Sequence, residues 1–170
     1  SKKRNLFNDI FEFDTQNKNW ELVRQTDMLM SRRKHHAAWI VGHSLIVHGG
    51  IDASGDIIDE FIDYDIPTRA WRNVKFQPNG LSKLAGHKFV TVISSNNKYP
   101  PAFTISDIPS ESVFQNKRKY RSNEGIYTFG GINDKGEWNN DLRFFKIGTT
   151  QPNWETIKTK GKNPPARHLH

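Results

Sequence analysis

Four short runs of alternating apolar and polar residues follow one another between residues 35 and 74. Alternation with a period of two predicts half-buried β-strands, and turn residues between such short runs predict hairpins. This segment therefore predicts one four-stranded antiparallel sheet. Its landmarks are His36 at the start, the pair Gly49-Gly50, Tyr64 in the third run and Trp71 in the fourth.

The same landmarks return at constant spacing elsewhere in the chain. Each of Trp20, Trp71 and Trp154 is followed sixteen residues later by a histidine, and a second glycine pair precedes Phe145 by fourteen residues, as Gly50 precedes Tyr64. We therefore interpret the chain as a repeat with a period near fifty residues. The predicted structural positions of this repeat are Gly49, Gly50, Tyr64, Trp71, Gly130, Gly131, Phe145 and Trp154.

The repeat divides the chain into one complete unit, a second complete unit with an insertion, and two partial units. The predicted bounds are 6–25 for the second half of a unit, 32–76 for a complete unit, 85–158 for a complete unit with an insertion at about 95–123, and 164–170 for the start of the next. A four-stranded sheet cannot bury both of its faces alone, so each unit needs a neighbour on either side. We expect the tryptophans to pack between neighbouring units.

Composition narrows the class of protein without indicating a chemistry. The chain has 25 Lys and Arg against 18 Asp and Glu, a net charge of +7, which favours loose association with acidic partners and does not mark a nucleic-acid binder. It has no cysteine, which excludes disulfides and thiolate zinc sites. No run of apolar residues is as long as the core of a signal peptide or as a membrane span. We therefore expect a soluble cytoplasmic protein, with cytoskeletal or nuclear locations as alternatives.

The ordered features of the chain resemble those of kelch-repeat proteins. They are the glycine pairs in LIVHGGI and IYTFGGI, the aromatic residues in FIDYD and RFFKI, the following Trp71 and Trp154, and the R-x-x-H starts at Arg33 and Arg167. The chain departs from this pattern at Leu84, which stands three residues before His87 where the other two units have an arginine. A WD-repeat propeller is the nearest rival, but no Trp-Asp pair occurs in the sequence.

This resemblance implies an all-β fold of kelch-type β-propeller blades, each a four-stranded antiparallel sheet. About three blades are present, whereas propellers close with typically four to eight. We therefore expect an incomplete propeller fragment, against which the remaining blades of the same propeller pack.

The resemblance also implies a function, that of a non-enzymatic protein-interaction module. Kelch domains often act as scaffolds, as cytoskeletal proteins or as substrate adaptors of ubiquitin ligases, and they bind protein partners through inter-strand loops. The alternative is an enzyme or small-ligand-binding propeller whose active residues lie in blades missing from this chain. We expect no cofactor, because the crosslinked cofactor of galactose-oxidase-like propellers requires a cysteine.

Candidate partner contacts lie in loops and basic runs. The connections 52–56 and 133–138 join second to third strands, and such loops commonly line the binding face of kelch domains. The insertion contains KRKYR, which combines charge with one stacking ring; nucleic-acid binding through it would weaken steeply with salt and is the less favoured hypothesis. The predicted contact residues are Arg33, His35, Asp52, Asp56, Lys135, Trp138, Lys117, Arg118 and Tyr120.

The seven histidines raise the question of a metal site. The repeat assigns His36, His87 and His170 to one position in three different units, which separates them in space, so we expect no metal site. The serines lack the glycine pattern of a nucleophile elbow, and the carboxylates lie on repeat strands and turns. We therefore expect no catalytic residues.

Overall fold

The computed structural model describes residues 5–23, 30–41, 43–73, 80–92, 123–146 and 153–169. Throughout these ranges the regular structure consists of β-strands. The strands are β1 (Phe11–Asp14), β2 (Asn19–Leu22), β3 (Arg33–Lys34), β4 (Ala37–Val41), β5 (Ser44–His48), β6 (Ile51–Asp52), β7 (Phe61–Asp65), β8 (Ala70–Asn73), β9 (Lys88–Val92), β10 (Gly125–Phe129), β11 (Leu142–Lys146) and β12 (Trp154–Thr156).

The alternating runs between residues 35 and 74 form one antiparallel sheet in the order β4-β5-β7-β8, which we call blade 1. Tyr64 and Trp71 lie opposite each other on β7 and β8, with ring centroids 5.1 Å apart. A short pairing outside this sheet joins β3 to β6. The alternation pattern does not predict that pairing, because two-residue strands carry too few positions to show a period.

Strands β9 to β12 form a second four-stranded antiparallel sheet, blade 2, and β1 pairs with β2 in a two-stranded half-blade. Phe145 lies opposite Trp154 in blade 2, and Phe13 lies opposite Trp20 in the half-blade. The aromatic pair therefore occupies the same register in all three sheets. We call the face that carries this pair the front of a sheet and the opposite face its back.

The main apolar core lies between the back of blade 1 and the front of blade 2. Its buried members are Trp39, Ile46 and Phe61 from blade 1 and Ile126, Phe145 and Trp154 from blade 2. Phe89 stacks on Trp39 across the junction, with ring centroids 4.0 Å apart. A second cluster of Met30, Val47 and Ile62, with Trp71 packed against it, lies on the front of blade 1.

The three repeat tryptophans differ in burial according to what packs on the front of their sheet. Trp154 is 6% exposed because blade 1 covers the front of blade 2. Trp71 is half-buried and packs against the cluster of Met30, Val47 and Ile62 on the front of blade 1. Trp20 is 65% exposed on the front of the half-blade. The predicted packing between units therefore holds fully for Trp154 and partly for Trp71.

The glycine pairs lie where one blade meets the backbone of the next unit. All four glycines have positive φ, between +66° and +99°. The N–H of Gly50 donates to the carbonyl of Leu84 at 2.9 Å, and that of Gly131 donates to the carbonyl of Arg167 at 2.8 Å. A Cβ on Gly49 would lie 2.2 Å from the Leu84 carbonyl oxygen. Only glycine leaves room for this close approach at such torsion angles.

Candidate partner-binding loops

The loop between β6 and β7 is built around the side chain of Asp52. Its Oδ1 accepts the N–H groups of Ser54 at 2.9 Å and of Asp56 at 3.0 Å, and its own N–H donates to the Asp56 carbonyl at 3.0 Å. This carboxylate therefore holds the loop closed, as Asp side chains commonly do in tight turns. The side chain of Asp56 is exposed to solvent.

The loop between β10 and β11 repeats that arrangement with an amide in place of the carboxylate. Asn133 Oδ1 accepts the N–H groups of Lys135 at 3.0 Å and of Glu137 at 2.9 Å, and the Asn133 N–H donates to the Glu137 carbonyl at 3.0 Å. The side chain of Lys135 is exposed. Two neighbouring blades thus present loops of the same backbone shape at the same end of their strands.

A cavity of about 510 Å³ separates the two loops. Asp52 and Asp56 line it from blade 1, Asp134 lines it from blade 2, and Lys83 contributes a positive charge. The carboxylates outnumber the lysine, although the whole chain carries a net charge of +7. The concave surface between the loops therefore favours a basic group on a partner.

Trp138 ends the loop of blade 2 and is 57% exposed. Its ring lies against that of His168, with centroids 4.7 Å apart in an edge-on arrangement. The contact fixes the indole on one side and leaves much of it open to solvent. An exposed, partly immobilised tryptophan loses little conformational entropy when a partner covers it.

The side chain of Arg33 is buried, so it is not available for the predicted contact with a partner. Its guanidinium donates to the carbonyl of Gly49 at 3.1 Å and to the Ser31 carbonyl at 3.1 Å, and it forms an ion pair with Glu60. A buried guanidinium requires such partners, since burying an unpaired charge is costly. Arg33 is therefore a structural residue that ties β3 to the glycine pair.

His35 is exposed and adopts a positive φ of 59°. Its carbonyl accepts the N–H of Gly86 at 2.7 Å, which joins the start of blade 1 to the start of blade 2. Partial burial, with the nearby charges of Lys34 and His168, lowers the pKa of His35. Its ring lies at the blade junction, available to a partner, and its contact role remains a prediction.

The remaining predicted contacts, Lys117, Arg118 and Tyr120, lie outside the described residues, as does nearly all of the insertion predicted at about 95–123. The start of the next unit is described as far as residue 169, which leaves His170 outside. The roles of these residues remain predictions.

Sequence reasoning missed a buried pair of histidines at the junction of the two blades. Nδ1 of His48 lies 2.9 Å from Nε2 of His87, and both rings are buried, with Phe61 and Phe89 beside them. Burial is the main cause that lowers the pKa of His87 to about 3, and it lowers the pKa of His48 well below its usual range. The only sequence signal is that His48 directly precedes a glycine pair, where Phe129 stands in blade 2.

The described ranges hold neither a three-residue cluster of metal ligands nor a helix that could span a membrane. No group of three histidine or carboxylate side chains there is close enough to hold a metal ion. No helix in those ranges is long and apolar enough to cross a membrane.

Comparison with known proteins identifies the family. A model of the Attractin/LZTR1 beta-propeller matches residues 1–121, which contain the half-blade, blade 1 and the first strand of blade 2. The chain belongs to the Attractin/LZTR1 β-propeller family. The predicted β-propeller fold is thereby confirmed, with four-stranded antiparallel blades as expected.

The chain is also similar to a curated protein, the Ras guanine nucleotide exchange factor F of Dictyostelium discoideum. The two are 22% identical over an aligned length of 170 residues. The alignment covers 87% of this chain and 15% of that protein. The chain therefore spans less than a sixth of the length of this relative.

Proposed function

We propose that this propeller is a non-enzymatic protein-interaction module that binds a protein partner through its second-to-third-strand loops. The observation that supports the proposal is the pair of matching loops with an acidic cavity between them. Propellers present such loops side by side because each blade repeats the same connection. The repeated geometry produces one continuous surface instead of isolated loop tips.

The chemistry of this surface favours a partner segment that carries lysine or arginine. A basic side chain entering the cavity would approach Asp56 and Asp134, and charge complementarity of this kind mainly raises the association rate. Trp138 would supply apolar contact, and removal of a central interface tryptophan commonly costs 2 kcal/mol or more. We expect the tryptophan to dominate the affinity and the carboxylates to dominate the salt dependence.

The kelch resemblance extends the proposal to a cytoplasmic scaffold or adaptor, of which a ubiquitin-ligase adaptor is one form. The relative in Dictyostelium discoideum is named as a Ras guanine nucleotide exchange factor. Because this chain matches only 15% of that protein, we do not carry the exchange activity over to it. The relative supports a narrower proposal, that such a propeller serves as one binding module of a larger protein.

Photocrosslinking in cells tests the proposal. A photoreactive amino acid at position 56 or 138 should capture a partner, while the same group at position 16, in the turn at the opposite end of the half-blade, should not. Mass spectrometry identifies the captured protein, and calorimetry with the purified partner then measures affinity. Trp138→Ala should weaken binding about 30-fold, the equivalent of about 2 kcal/mol.

Charge variants separate the role of the cavity from a general effect of charge. Asp56→Lys should slow association and flatten its salt dependence, whereas Gln16→Lys, which alters charge in the β1–β2 turn, should leave both unchanged. Equal weakening by these two variants, or equal capture from positions 16 and 56, would show that the loop surface is not the binding site.

A further inference from the structure

The side chains of His48 and His87 join blade 1 to blade 2 inside the fold. Both blades are complete four-stranded sheets, and the two side chains are 0% and 1% exposed. The facing nitrogens, Nδ1 of His48 and Nε2 of His87, lie 2.9 Å apart. The outer nitrogens, Nε2 of His48 and Nδ1 of His87, are buried and have no hydrogen-bond partner among the described residues. One hydrogen bond therefore holds the pair together.

This hydrogen bond exists only while one of the two facing nitrogens lacks a proton. In either neutral tautomer one ring donates through its N–H and the other accepts with a lone pair. A first added proton can bind an outer nitrogen, but it places a charge between Phe61 and Phe89. A second added proton leaves a hydrogen on both facing nitrogens. The doubly protonated rings must therefore move apart.

The surroundings of the pair keep protons out while the junction is closed. Burial disfavours a charged imidazole most, and the nearby charged or titratable groups act in the same direction; these are Arg33, His36 and Lys88. The carboxylate of Glu60 is already paired with Arg33. Protons therefore bind the pair when the junction opens and water reaches the rings.

Each histidine lies next to a main-chain hydrogen bond that closes the same junction. Gly50, two residues after His48, donates its N–H to a carbonyl at the start of blade 2 at 2.9 Å. Gly86, directly before His87, donates its N–H to the carbonyl of His35 at the start of blade 1 at 2.7 Å. Separation of the two rings would pull on both bonds, because at most one residue stands between each ring and its glycine.

These bonds connect the residues that form the walls of the acidic cavity. Asp52 follows Gly50 by two residues, and Lys83 directly precedes Leu84, the acceptor of the Gly50 N–H. Asp52 and Lys83 line the cavity from the two blades. The spacing of the candidate partner-binding loops is therefore set at the junction that the histidine pair closes.

We propose that His48 and His87 form a proton-sensitive latch, which holds the two partner-binding loops together at neutral pH and releases them in mildly acidic solution. The inference rests on the proposed function, because it assigns a regulation to the same loop surface. The closed junction has the loop spacing that a partner requires and binds no extra proton. The open junction binds up to two protons and separates the loops.

The size of the effect follows from proton uptake by the open junction. Each solvated histidine there has its ordinary pKa near 6.5. Two such groups raise the population of the open form about 100-fold between pH 7.5 and 5.5, and one raises it about 10-fold. An open form at about 1% at pH 7.5 would thus reach about half of the molecules at pH 5.5, and binding of a partner would weaken accordingly.

Amide hydrogen exchange of the chain alone, resolved by residue with NMR at pH 7.5 and 5.5, tests the latch. Protection is expressed relative to an unstructured peptide at each pH, which removes the intrinsic pH dependence of exchange. Protection of the Gly50 and Gly86 amides should fall about 100-fold between the two pH values. At both pH values it should stay below that of the central strand β10, whose amides report opening of the whole sheet.

Gly131 is the matched control within the chain. Its N–H donates to the Arg167 carbonyl as the Gly50 N–H donates to blade 2, but Phe129 stands in its sheet where blade 1 has His48. Its protection should therefore change much less with pH. An equal fall at Gly131 would indicate a general effect of acid and would overturn the proposal.

Substitutions assign the pH dependence to the pair. His48→Phe introduces the residue that blade 2 carries, and the fall in protection at Gly86 should shrink to about 10-fold because one histidine remains. If this variant does not fold, His87→Gln should shrink the fall at Gly50 by the same factor. His43→Gln should keep the full 100-fold fall, since His43 is exposed at the other end of β5.

Two results would refute the latch. One is equal protection of Gly50 and Gly86 at both pH values, and the other is protection that matches β10 throughout, which would mean that the junction opens only when the sheet unfolds. Neither result bears on the loop surface, because exchange is measured without a partner. Failure of photocrosslinking from positions 56 and 138 would instead refute the loop surface and leave the proton-sensitive junction.

Discussion

The buried pair His48 and His87 should make the stability of this chain fall steeply in mildly acidic solution. The folded-state pKa of His87 is lowered to about 3, mainly by burial, with the positive charges of Lys88 and His36 acting in the same direction. In the unfolded chain a histidine titrates near 6.5. Between these two values the unfolded state binds a proton that the folded state does not, so the free energy of unfolding decreases as the pH falls.

The magnitude follows from the size of the shift. Each pH unit below about 6.5 costs about 1.36 kcal/mol per histidine until the folded-state pKa is reached. At pH 4.5 the loss from His87 is therefore about 2.7 kcal/mol, a large part of the 5–15 kcal/mol that stabilises an ordinary domain. The pKa of His48 is lowered too, by burial and by its neighbours His87 and Arg33, and this adds to the loss.

Urea unfolding followed by tryptophan fluorescence at pH 7.5 and 4.5 measures this loss. His87→Gln keeps a hydrogen-bonding side chain beside His48 but does not titrate, so it should lose about 2.7 kcal/mol less than wild type between the two pH values. His43→Gln is the control, because His43 is exposed and should leave the pH dependence unchanged. If His87→Gln retains the full wild-type loss, the histidine pair is not its cause.

Three further predictions concern buried positions at or near the junctions, and urea unfolding at a few micromolar protein checks each of them. Trp154→Ala should lower the free energy of unfolding by about 3–5 kcal/mol because it opens the inter-blade core, whereas Trp20→Ala should lower it by less than about 1 kcal/mol. Equal losses would contradict the packing described. Gly49→Ala should cost clearly more than Gly55→Ala, since both have positive φ but only the first added Cβ meets a neighbouring carbonyl. Arg33→Leu should cost about 1–3 kcal/mol by leaving a buried carbonyl unpaired, and an unchanged transition would contradict that role.

The strands could be predicted from the sequence because each sheet repeats the same alternation and the same landmark spacing. What alternation does not encode is the neighbour that covers each face. Trp20, Trp71 and Trp154 are equivalent in the repeat, yet their exposure runs from 65% to 6%. That difference depends on which side chains pack against each front, which is a property of the assembled fold.

The loops of the candidate site were predicted from their position between strands, but their internal bonding was not. Asp52 and Asn133 are different residue types that perform one task, since a carboxylate and an amide oxygen both accept two backbone N–H groups. The matching spacings D-x-x-G-D and N-x-x-G-E carried that signal. The pairing of His48 with His87 had no such signal, because a contact between two blades has no local sequence period.

The blade junction depends more on the backbone than on the R-x-x-H motif. Leu84 replaces the repeat arginine, yet its carbonyl accepts the Gly50 N–H as the Arg167 carbonyl accepts the Gly131 N–H. A main-chain bond is indifferent to the acceptor's side chain, so this position tolerates leucine, which is buried there. The glycine that donates is not replaceable in the same way, because its positive φ and the approaching backbone exclude a Cβ. The glycine pair therefore determines where the next blade attaches, and Arg33 supports that pair from within its own unit by donating to the Gly49 carbonyl.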